Sequence, residues 1–81
     1  MKLSLLSRRY CSLCQKMLAE LRPWCEAHGV AVVVIDVDED PALVARYNDL
    51  VPVLLAGEQE ICHWHLDKPA LQDWLRNRRM A

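Results

Sequence analysis

Leucines at 3, 5 and 6 set against Lys2 and Ser4 give a near-alternating pattern, which predicts a short first strand. From Cys11 the period changes. Cys14, Met17, Leu18, Leu21, Trp24, Cys25 and His28 fall three or four apart, one face of a helix that Gly29 is placed to stop. Pro23 lies inside that pattern and is expected to bend the last turns, since it removes a backbone donor. Val30 to Ile35 is a nearly continuous β-branched run. Such runs mark strands covered on both faces, so the reading is a central strand, parallel to the first and joined to it by a right-handed crossover.

Asp38-Glu39-Asp40-Pro41 is a helix start, with a carboxylate to cap and a proline for the first turn. Leu43, Val44 and Tyr47 would face inward, and Asn48 would end the helix. Val51 to Ala56 reads as a third strand that opens with Pro52, and Gly57-Glu58 as a turn into a return strand over Gln59 to Trp64. Asp67 then caps a last helix that buries Leu71, Trp74 and Leu75. The order β-α-β-α-β-β-α, with no repeat or linker, predicts an α/β fold: a four-stranded mixed sheet flanked by helices, one domain over 1–81.

Composition agrees with that reading. The 81 residues are 53% hydrophobic and 26% charged, a soluble globular balance. Ten basic and eleven acidic side chains leave a net charge of -1, which offers no field for nucleic acid or an anionic membrane. Arg76, Arg78 and Arg79 cluster where cations complement the end of the last helix. The amino terminus has no secretory pattern and no run approaches a membrane span, so the expected location is cytoplasmic, where thiols are mostly kept reduced. Four cysteines in that setting point to chemistry or metal before structural staples.

Cys11-Ser12-Leu13-Cys14 falls at the expected strand-to-helix corner. The start of a helix stabilises a thiolate through its partial charge and free N–H groups. Cys11 is thus the candidate nucleophile, with Arg8 and Arg9 upstream to add to the effect. Cys14, one turn deeper, is the candidate resolving thiol.

These residues resemble the glutaredoxin-like branch of the thioredoxin-fold superfamily, in particular a small group of bacterial glutaredoxin-like proteins. The resemblance spans nearly the whole chain: Tyr10 to Cys14 after the first strand, Asp36-Val37-Asp38 after the second, Val51-Pro52-Val53 opening the third, and Leu66-Asp67 before the last helix. It implies a thioredoxin-like fold and dithiol exchange contributing to redox homeostasis, with glutathione or a thioredoxin-type reductant as electron donor. It also implies a cis bond at Pro52, with Val51 free to pair with an extended substrate. Arg8, Tyr10, Val51, Pro52 and Asp67 become the substrate-binding set. The expected partners are a disulfide-containing protein or a glutathione mixed disulfide, with no permanently bound cofactor and a monomeric state. Two departures stand out: Ser12-Leu13 replaces the proline and tyrosine usual between glutaredoxin cysteines, and Cys62 to Asp67 lacks the Gly-Gly turn that helps hold glutathione.

Two other readings use the same cysteines. One is a module holding an iron-sulfur cluster or glutathione without catalysis, and the other is a structural zinc domain drawing on Cys62, His63 and His65. Alternation along a strand sends Cys62 and His63 to opposite faces, and the second cluster lacks ligand spacing, so no metal site is expected. Cys25 and Met17 belong to the helix's apolar face. Trp24, Trp64 and Trp74 read as packing residues, Trp64 being near the rim of the site.

Overall fold

β1 (Lys2–Ser7) sits inside the sheet, and both of its faces are covered. The computed structural model describes residues 1–80, without the side chains of 79 and 80; the Arg79 part of the predicted basic cluster therefore lies outside the described side chains. β2 (Ala31–Asp36) pairs parallel to β1, while β3 (Val53–Ala56) lies antiparallel on its other side and β4 (Gln59–His63) antiparallel to β3. The order is β2-β1-β3-β4.

That order corrects one expectation. β2 is an edge strand, with Val33 and Val34 42% and 44% exposed, and is not the covered central strand its composition suggested. A β-branched run reports a preference for extended backbone; whether neighbours cover it is decided by the connections. Here β3 returns on the far side of β1, and the central position falls to the leucines.

The helices divide between the faces. α1 (Ser12–His28) and α3 (Lys68–Met80) pack on one side, where Met17, Leu21, Cys25, Leu71, Trp74 and Leu75 meet Leu3, Leu5, Leu54 and Cys62. On the other side α2 (Pro41–Tyr47) brings Tyr47 and Leu43 against Leu6, Val37, Val53 and Leu55. Seven residues of helix span only about 10 Å, which is why this face is covered mainly at one end.

Local signals act as anticipated at most boundaries. Gly29 takes the left-handed conformation, φ 66°, at the end of α1, and its N–H reaches the Cys25 carbonyl. The Asp40 carboxylate accepts the Ala42 N–H at 2.9 Å, with Pro41 in the first turn of α2. Asp67 accepts the Ala70 N–H at 3.1 Å at the start of α3. A 3-10 turn over Val37–Glu39 precedes α2; the Asp36 carboxylate stabilises it by accepting the Asp38 N–H at 2.9 Å. No described helix is long and apolar enough to cross a membrane.

Candidate active site

The register gathers the chemistry-bearing loops at one end of the sheet. Leu6 pairs with both Ile35 and Val53, and Val53 pairs with His63. The segments leaving β1 and β2, entering β3 and leaving β4 therefore emerge together. They carry Arg8 to Cys11, Asp38, Val51-Pro52 and Trp64.

Cys11 is the residue before α1, with extended backbone, and its sulfur accepts the Cys14 N–H at 3.1 Å. In most helices a Ser, Thr or Asp oxygen satisfies that donor. The same geometry that lets sulfur cap the helix favours negative charge on it when reduced. Cys11 and Cys14 form a disulfide, with Cα atoms 5.2 Å apart. Cys11 is partly exposed, whereas Cys14 is 2% exposed and part of the buried face of α1. One sulfur is thus open to a partner and the other lies behind it.

Three large side chains close to the pair in the chain or lining the adjoining groove are exposed, among charged neighbours such as Lys16 and Glu20. Tyr10 is fully exposed with φ 57°, and Leu13 and Trp64 are 38% and 47% exposed. A groove of about 200 Å³ runs between α1 and the turn after β4, lined by Leu13, Lys16, Met17, Glu20, Trp64, His65 and Leu66. The Val51–Pro52 peptide is cis and Pro52 is buried. Neither the N–H nor the carbonyl of Val51 has a hydrogen-bond partner among the described residues. A wider depression of about 700 Å³ lies beside β4 and the start of α3; neither it nor the groove is lined by Cys11 or Cys14.

Each of the remaining candidates has a definite place. Arg8 turns to Asp38, with Nε 3.0 and 3.2 Å from the two carboxylate oxygens, and donates to the Asn48 side-chain oxygen at 2.6 Å and its carbonyl at 3.4 Å. Asp67 is engaged in capping α3. Trp64, which follows β4 rather than ending it as the sequence suggested, has φ 66° and donates its backbone N–H to the Pro52 carbonyl at 2.9 Å and its indole N–H to the Asp49 carbonyl at 3.0 Å. Nothing in the run His63-Trp64-His65 signals that double attachment. Asn48, read only as a helix terminator, is also part of the loop's support.

Cys25 and Cys62 are free thiols outside the pair. Burial pushes the Cys25 thiol above its ordinary range. Burial also raises Cys62, against the lowering effect of a hydrogen bond to the Asp67 backbone, while the Asp67 and Glu60 charges raise it further. Both are protonated and enclosed at neutral pH. His63 pairs with Glu60 at 2.9 Å, and the described residues hold no cluster of three or more His, Cys, Asp or Glu suited to a metal ion.

A four-stranded mixed sheet in the order β2-β1-β3-β4 flanked by helices, with a cysteine pair on the first strand-to-helix corner, places the molecule in the thioredoxin-fold class. Comparison with known proteins narrows this: the chain belongs to the glutaredoxin-like domain family (DUF836), whose pattern matches residues 2–76. It is 29% identical to an uncharacterized protein of Mycobacterium tuberculosis, across 88% of this chain and 78% of that one. The solution structure of protein Ne2328 from Nitrosomonas europaea is 36% identical and superposes with a TM-score of 0.82, covering 90% of this chain and 88% of the other. A protein from X. campestris, 33% identical, gives 0.65 over 93% and 96%. Thioredoxin 1 of Thermosipho africanus, at 24% identity, shares the fold with a TM-score of 0.66 over 98% and 99%. Fold, family and cysteine pair together fit a redox role.

Proposed function

We propose that this chain is a thiol-disulfide oxidoreductase that exchanges its dithiol with a disulfide partner, Cys11 attacking and Cys14 resolving. The observation that carries the reading is the Cys11 sulfur capping α1 while partly open to solvent, with Cys14 buried behind it. At a reference pKa near 8.5 only a few per cent of a thiol is ionised at pH 7; a fall of about two units, worth roughly 2.7 kcal/mol, makes the thiolate dominant. The Cys11 thiolate attacks one sulfur of the substrate disulfide and expels the other as a thiolate, leaving a mixed disulfide. Cys14 gives up its proton and attacks the Cys11 sulfur, expelling the second substrate thiolate. Two electrons pass to the substrate, and the Cys11–Cys14 disulfide is the oxidised product.

The unpaired Val51 backbone supports binding of an extended substrate segment by strand-like hydrogen bonds. The exposed side chains of Tyr10, Leu13 and Trp64 offer contact area to a protein disulfide partner. Glutathione or a thioredoxin-type dithiol returns the electrons, no cofactor is permanently bound, and the protein works as a monomer in the reducing cytoplasm. Turnover of a protein disulfide with glutathione and with a thioredoxin-type donor supplied separately tests this. At least one donor should sustain many cycles per molecule; reduction by neither, with the Cys11–Cys14 disulfide left intact, would refute the assignment.

A further inference from the structure

We infer that Arg8 and Trp64 are positioning residues that hold the loop from Asn48 to Pro52, and with it the backbone of Val51, in fixed relation to Cys11. This rests on the dithiol-exchange reading and adds what sets its geometry. The loop has no regular structure of its own and joins α2 to β3. It is held from two sides by residues that leave neighbouring strands. From the Cys11 side, the Arg8 guanidinium reaches the Asp38 carboxylate together with the carbonyl and side-chain oxygens of Asn48. From the β4 side, Trp64 donates to the carbonyls of Pro52 and Asp49. The chain from Cys11 through Arg8 and Asn48 to Pro52 and Trp64 is therefore continuous.

Residue chemistry gives reasons for both identities. Only a guanidinium offers several donors in one rigid plane, so lysine keeps the charge of Arg8 but not its grip on two partners. Trp64 adopts a left-handed backbone that glycine would take freely, and a bulky aromatic there lacks a backbone rationale. Its indole bond to Asp49 supplies the rationale, because a ring half in solvent otherwise does little for the core. The arrangement also assigns Arg8 a different role from the one its sequence position suggests. With Asp38 beside it, its charge is largely compensated, so it acts on the loop and has little effect on Cys11 ionisation.

The test compares Arg8→Lys, Arg8→Gln and Trp64→Phe with the native chain, using a blocked cystine peptide long enough to pair with Val51 and the small bis(2-hydroxyethyl) disulfide. The kcat/KM ratio of peptide to small disulfide should fall about 10- to 100-fold in all three, mainly through KM, because a misplaced binding edge weakens alignment. The Cys11 thiol pKa should stay within a few tenths of the native value. Amide exchange at Leu50 and at position 64, whose N–H groups are bonded to the Tyr47 and Pro52 carbonyls, should quicken about tenfold or more in Trp64→Phe, a readout independent of turnover. An unaltered ratio, or unaltered exchange, overturns the inference. So does a raised Cys11 pKa in Arg8→Gln that Arg8→Lys restores, which would make Arg8 a charge donor. If the native protein reduces neither disulfide, the oxidoreductase reading fails on its own, and the exchange rates still decide whether the loop is braced.

Discussion

Replacing Cys11 by serine is expected to reduce disulfide turnover by about 10³-fold or more, because it removes the only partly open sulfur of the pair and hence the covalent route. Cys14→Ser should differ in kind. Its Cys11 still attacks, but no second sulfur stands behind it, so the mixed disulfide accumulates toward one equivalent and appears as a mass addition on the peptide containing Cys11. Cys25→Ala and Cys62→Ala should leave the chemistry largely intact, because both thiols are enclosed and shifted toward the protonated form. Intact-mass analysis with turnover assays checks all four variants. Comparable losses across them would show that the pair has no special role.

The largest expected effect on stability comes from Leu5→Ala. Leu5 has no exposed surface, lies between Val34 and Leu54 in the ladder, and faces α1 and α3. Truncating such a side chain costs about 2–5 kcal/mol through lost transfer energy and the cavity left behind. A domain of this size has a total stability on the order of 5–15 kcal/mol, and each kcal/mol shifts its midpoint by about 4–8 °C. The variant should therefore melt roughly 10–30 °C lower. Val33→Ala, on the exposed edge strand, should cost under about 1 kcal/mol. Thermal and urea unfolding of the two variants provide the comparison; equal losses would contradict the placement of the core.

Much of this arrangement was legible in the residues themselves. Period and punctuation located α1 between Cys11 and Gly29, Asp40-Pro41 located α2, and Asp67 located the start of α3. Those signals are local, each residue acting within a turn of where it stands, so sequence spacing reports them directly. What depended on long-range pairing was less visible. The valine-rich β2 announced itself as a strand but not as an edge, because its neighbours are set by the return of β3 along β1. At the site, the Cys-X-X-Cys spacing predicted the pair, and the structure adds how it is seated: sulfur as the helix cap, with one thiol outside and the other enclosed. The attachments of Arg8 to residues 30 and 40 positions away, and of Trp64 to Asp49, left no periodic trace. Side chains that bridge loops are invisible to pattern reading until the sheet brings those loops to one end.

The account depends on Cys11 ionising easily once reduced. Alkylation of the reduced protein with iodoacetamide across pH 4–10, with each cysteine followed by mass spectrometry, measures this directly. Cys11 should titrate well below the ordinary thiol range and label at pH 6 far faster than Cys14, Cys25 or Cys62. Equal, slow labelling of all four, or a Cys11 midpoint at or above about 8.5, would contradict it.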